Sequence, residues 1–102
     1  MSLATIVWTQ NALDAVRDHA CWLRENTARS SSHWIGTLFT RVAALREFPA
    51  MGAPWQRSAA SGFRQLIVGR HVVIYRLVDD DSVEILTVRH HAQGPVEFEE
   101  IQ

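Results

Sequence analysis

The sequence predicts a small α+β domain: an N-terminal strand, a two-helix antiparallel hairpin, and a C-terminal three-stranded antiparallel meander on which the helices pack. Three observations predict it. The stretch Phe63 to Gln93 contains a central run, Val72, Val73, Ile74, Tyr75, Leu77 and Val78, that is rich in β-branched and aromatic residues and apolar on both faces, as a strand inside a sheet would be. Gly69-Arg70 and Asp79-Asp80-Asp81-Ser82 carry turn chemistry at the spacing of two successive hairpins. Upstream, two apolar stripes recur at helical rather than strand spacing.

The elements follow in order. Thr5 to Trp8 is a short β-branched and aromatic run and reads as a first strand, with Met1 to Ala4 frayed before it. Thr9 offers an N-cap hydroxyl. Leu13, Val16, Ala20 and Leu23 then fall on one face of a helix running to about Glu25, with His19 and Trp22 flanking that stripe as boundary packing. Asn26 to Ser32 is polar, and Ser30, Ser31 or Ser32 can cap the next helix. Its stripe is Ile35, Leu38, Phe39, Val42 and Leu45, and Pro49 stops it near Arg46. The short link makes the two helices a hairpin whose apolar faces one face of the sheet would cover. Pro49 to Gly62 is the longest loop and holds Trp55 and Arg57 among small residues. An indole beside a guanidinium there could anchor a partner, or Trp55 could pack over the sheet edge. Gly94-Pro95 breaks the chain, and the acidic segment to Gln102 reads as a poorly specified tail.

Composition bounds the function. With 102 residues, 47% hydrophobic and 21% charged, the chain fits one domain with one core. No apolar run approaches the roughly 20 residues that span a bilayer, and the start lacks a signal-peptide pattern, so a cytoplasmic setting without membrane contact is expected. The lone Cys21 excludes an internal disulfide and is expected to be a core thiol. The net charge of -1 conceals a segregation: residues 26 to 78 hold seven Arg against Glu47, whereas residues 79 to 102 hold Arg89 against seven acids. Every cation is Arg and none is Lys. A basic centre suggests an anionic partner, and pairing between the sheet's arginines and the acidic end is the alternative.

The candidate chemistry sits on the meander. Arg89-His90-His91 ends the last strand, Arg64 begins the first, and Arg70-His71 stands at the first turn. Alternation sends His90 to one face and Arg89 with His91 to the other. A group of Arg and His on one sheet face could hold a phosphate and move a proton, as RNA cleavage through the 2'-hydroxyl requires. Equally, Arg64, Arg76 and Arg89 could form ladder pairs with Asp79, Asp80 or Glu84. Adjacent His90 and His91 point apart on a strand and no Cys or carboxylate spacing completes a zinc site, so no metal and no cofactor are expected.

Taken in order, WTQNAL, LREFPAMG, FRQLIVGRHVVIYRL, the acidic turn and VEILTVRHHAQ resemble the RelE/ParE superfamily of bacterial type II toxins, often called plasmid stabilisation proteins, over about residues 5 to 93. The resemblance implies a toxin neutralised by a cognate antitoxin, with promoter DNA bound only through the antitoxin. RelE-like members cut mRNA on the ribosome, and ParE-like members poison DNA gyrase. The RelE-like cleft carries cations where this chain has Val72 and His91, and a late Tyr where Phe98 falls; the only tyrosine is Tyr75. The sequence therefore stands nearer the ParE branch, a growth inhibitor that binds its target. The alternatives are a RelE-like endoribonuclease, with Arg64, His71, His90 and His91 as its catalytic set, and a degenerate member that only binds its antitoxin. Arg70, Arg89, Trp55 and Arg57 are the candidate binding residues.

Overall fold

Thr9 ties the first strand, the first helix and the last strand together. Its hydroxyl accepts from the Ala12 amide at 3.1 Å, capping the helix as expected, and donates to the Ile85 carbonyl at 2.8 Å. In this computed structural model the described residues are 3–26, 31–55, 62–79 and 81–101, without the side chains of Ser31, Phe98 and Glu99. The expectations placed on Ser30, Arg57 and Asp80 lie outside them.

The elements are β1 (Thr5–Trp8), α1 (Gln10–Asn26), α2 (Ser31–Ala43), a 3-10 turn (Ala44–Arg46), β2 (Ala53–Pro54), β3 (Phe63–Val68), β4 (His71–Asp79) and β5 (Ser82–His90), followed by short 3-10 turns at His91–Gln93 and Phe98–Ile101. The chain is α+β, with two helices and one five-stranded sheet in the order β1-β5-β4-β3-β2. The antiparallel meander is present as β3-β4-β5, but it forms the middle of the sheet rather than all of it. β1 joins in parallel with β5, Thr5 opposite Ser82 and Trp8 opposite Ile85. The helices supply the long connection that a parallel pairing needs. β2 contributes two residues at the other edge, where Pro54 loses no ladder bond.

The two hairpins form where the turn residues allow. Gly69, at φ +60°, takes the first central position between Val68 and His71. At the second, the Asp79 carboxylate accepts from the Asp81 amide at 2.8 Å. A register shift between Ile74 and Tyr75 leaves Leu86 as an extra residue on β5.

Both faces of the sheet are covered, so there are two apolar clusters rather than one core. On the helix side, Ala12, Val16, Leu38, Val42 and Leu45 pack on Val73, Tyr75, Val83 and Ile85. On the other side Trp55, Ile74, Leu86 and Val96 are buried together. Four expectations change. Ala4 is buried and its amide donates to the Arg46 carbonyl at 2.8 Å, so the chain is already fixed before β1. The α1 stripe is set by Ala12, Val16 and Ala20, and Leu13 is 41% exposed, one residue off the buried face. Cys21 is half-buried, its Sγ accepting from Arg24 Nη2 at 3.2 Å, rather than a core thiol. The C-terminal segment is anchored: Val96 is buried, Glu100 pairs with Arg89, and the Glu100 carbonyl accepts from Asn11 Nδ2 at 3.1 Å.

Candidate functional site

The ladder between β4 and β5 sets His71 opposite His90 and Val72 opposite Arg89. Side-chain alternation then puts His71 and His90 on the helix side and Arg89 with His91 on the other. α1 crosses the helix side and adds His19, three residues past buried Val16. The three imidazoles form a cluster: ring centroids are 4.6 Å apart for His19 and His71, 4.9 Å for His71 and His90, and 5.3 Å for His19 and His90. His71 stands edge-on to both others, which are nearly parallel at 24°.

Hydrogen bonds fix the protons. Trp34 Nε1 can only donate, and it donates to His71 Nδ1 at 3.1 Å, so neutral His71 carries its proton on Nε2. That Nε2 is buried without a partner among the described residues. His90 Nδ1 accepts from the Ala92 amide at 3.1 Å, and Gln93 Oε1 accepts from the His90 amide at 2.8 Å, a reciprocal cap at the end of β5. Burial, and next the neighbouring charges of His19 and then His90, hold His71 down at about 4. Burial and then His90 lower His19 as well. At neutral pH His71 is therefore an uncharged donor. With Nδ1 taken by Trp34 it offers no free lone pair, and no group of three His, Cys, Asp or Glu among the described residues is placed to hold a metal ion.

The cluster floors a cavity of about 630 Å³ between α1 and the end of β5. Asn11, Asp18 and Trp22 wall it on the helix, and Thr87, Arg89 and Gln93 on the strand and the turn after it. A smaller cavity of about 350 Å³ opens on the other face, lined by Trp55, Val72, Arg89 and His91.

The residues singled out from the sequence are distributed over four places. His71 and His90 meet. His91 and Arg89 face the second cavity, where Arg89 is held by Glu100. Arg64 stands opposite Tyr75, four ladder positions from Val68 and His71, roughly 13 Å along the strand at the usual rise. Its Nη1 donates to the Gly52 carbonyl at 2.7 Å and to the Ala50 carbonyl at 3.3 Å, while the Gly52 amide donates to the Tyr75 hydroxyl at 2.9 Å. Arg64 thus closes the loop after α2. Arg70 is exposed on the first hairpin, its carbonyl accepting from the His91 amide at 2.8 Å. Trp55 is buried in the second apolar cluster with its ring 6.0 Å from that of Phe63, so the packing alternative holds for the indole. Arg76 makes the cross-strand pair with Glu84, at 2.8 Å. His19 and Trp22, read from the sequence as boundary packing, line the larger cavity, stacked on one another at 5.7 Å.

The profile of the family described as ParE toxin of type II toxin-antitoxin system, parDE, matches residues 6–95. A candidate toxin of Sinorhizobium fredii, Y4kP, is 32% identical over 98 residues, which cover 93% of this chain and 97% of that protein. Among solved structures, the chromosomal ParDE system of P. aeruginosa superposes with a TM-score of 0.65 at 17% identity, covering 86% of this chain and 96% of that one. The toxin–antitoxin complex RelBE2 of Mycobacterium tuberculosis gives 0.61 at 19% identity, covering 88% and 99%. These two structures share the fold.

Proposed function

Because the chain belongs to the family of ParE toxins of type II toxin–antitoxin systems, we propose that it inhibits growth by binding a protein target, DNA gyrase, and that a cognate antitoxin neutralises it in the cytoplasm. The observation that carries this reading over RNA cleavage is the placement of the cations. Cleavage through the 2'-hydroxyl needs an acid and a base beside a positive group that meets the developing charge. Here His19 and His71 are kept largely neutral by burial, Arg64 is bonded to loop carbonyls at the far end of β3, and Arg89 is paired with Glu100. An antitoxin as partner is supported by the family and by the solved neighbours, which are toxin–antitoxin systems. Promoter DNA would be reached only through that antitoxin.

Induced expression in bacteria with two readouts tests it. Growth arrest with a DNA-damage response linked to gyrase, and no codon-linked mRNA cleavage, is the expected result. The triple variant Arg64→Ala, His90→Ala, His91→Ala should arrest growth to the same degree wherever it remains folded. Codon-linked cleavage that the triple variant abolishes while its circular dichroism stays native would replace the gyrase reading with the ribonuclease one.

A further inference from the structure

The cavity between α1 and the end of β5 leaves open a charge opposite to that of the chain's basic middle. Asp14, Asp18 and Trp22 follow one another at steps of four on α1 and all line it. Asp14 is already bonded to Gln10 Nε2 at 2.9 Å and to Arg17 at 2.7 Å. Asp18 is exposed and has no partner among the described residues. Arg89, the one arginine among the described residues that line the cavity, is held by Glu100. Within the floor, His19 and His71 add little positive charge, since burial lowers both.

The wall beside Asp18 is aromatic. Trp22 stacks one face on His19, the rings 11° from parallel, and is 50% exposed. A flat cation suits this pair of groups. A guanidinium can lie on an indole face and direct two N–H groups to a carboxylate, whereas an ammonium is a point charge without that geometry. A cavity of about 630 Å³ has room for such a side chain together with its flanking peptide groups. His71 is 7% exposed and lines the same cavity, with its Nε2 enclosed beneath the floor.

We propose that this groove is the docking site for an arginine of a protein partner, with Asp18 and Trp22 holding the guanidinium above the imidazole floor. The assignment rests on the reading of the chain as an antitoxin-neutralised toxin, and it gives that arginine to the antitoxin.

Two measurements test it. In the first, the isolated full chain is titrated with N-acetyl-arginine methylamide while the Trp22 indole and imidazole ¹⁵N signals are followed by NMR, with N-acetyl-citrulline methylamide as the uncharged control. Saturable shifts at Trp22, His19 and His71 are expected, with affinity about fivefold weaker for Asp18→Asn, for Trp22→Ala and for citrulline. No saturable shift, or equal binding by citrulline or by Asp18→Asn, overturns the site. The second measures affinity in the complex with the co-expressed antitoxin. Asp18→Asn should weaken it by about fivefold. Unchanged affinity overturns the assignment of the groove to that partner, although the complex itself, and with it the reading of the chain as a neutralised toxin, would stand. A chain that forms no antitoxin complex but binds the arginine probe would overturn that reading and leave the groove.

Discussion

The two ends of the β3-β4-β5 ladder place polar side chains against apolar packing in opposite ways. At one end Tyr75, Gly52 and Arg64 satisfy one another: the hydroxyl takes the Gly52 amide, and the guanidinium takes the Gly52 and Ala50 carbonyls. At the other end His71 is equally enclosed, yet one ring nitrogen has an indole donor and the other has no partner among the described residues. The first arrangement closes a loop, and a β-carbon on Gly52 would stand 2.5 Å from the Gln65 carbonyl oxygen, so nothing larger fits. The second keeps an imidazole neutral beside a cavity. Buried polar groups are ordinarily paired, and of the two unpaired ones among the described residues, His71 Nε2 and Arg76 Nε, only the imidazole belongs to a residue that lines a cavity, so its end is where function is to be sought.

The largest expected effect breaks the comparison at the histidine end. His71 has its folded value lowered to about 4, below the ordinary 6.5, so the unfolded chain binds the extra proton first as pH falls. Its contribution is complete above pH 6.5 and is lost as pH drops from there towards 4, in total about 3 kcal/mol. Urea unfolding across that range should show the loss, and His71→Gln should flatten it; an unchanged slope would mean that another group governs it. A middle effect belongs to the latch. Tyr75→Phe leaves the buried Gly52 amide without its acceptor and should cost about 2 kcal/mol at pH 7. The smallest sharpens the contrast. Arg64→Met keeps the stem and removes two carbonyl bonds, which should cost about 1 kcal/mol without altering growth arrest. Arrest lost in a fully folded Arg64→Met chain would turn this end, too, into a functional one.

How far the sequence could be read follows the same physics. The meander was legible because its turns carry Gly69 and the Asp79 to Ser82 run, and because β4 carries apolar residues on both faces. The parallel place of β1 was not, since four residues carry no register until β5 stands beside them, and a two-residue edge strand containing Pro54 gives no pattern at all. At the site, alternation gave the opposite facing of His90 and His91. The meeting of His71 with His90 depended on where the β5 register shift falls, which periodicity does not reveal. His19 was missed for a smaller reason. Alanine is a faint apolar signal, so the stripe was centred on Leu13 instead of Ala12; moving it by one residue brings His19 onto the sheet.

The parallel pairing of β1 with β5 also sets an order of assembly. Thr5 and Ser82 are neighbours in the sheet although 77 positions apart in the chain. β1 is made before its ladder partner, which is also the strand α1 lies on, with both helices and the rest of the sheet between them. The hairpins of the meander close locally and early, whereas the pairing of β1 with β5 closes late and slowly, as contacts of long sequence separation do. A nascent or truncated chain that stops short of Ser82 therefore lacks the β5 wall of the histidine cavity and the partner of β1. It holds an unfinished sheet edge that no internal strand can cap.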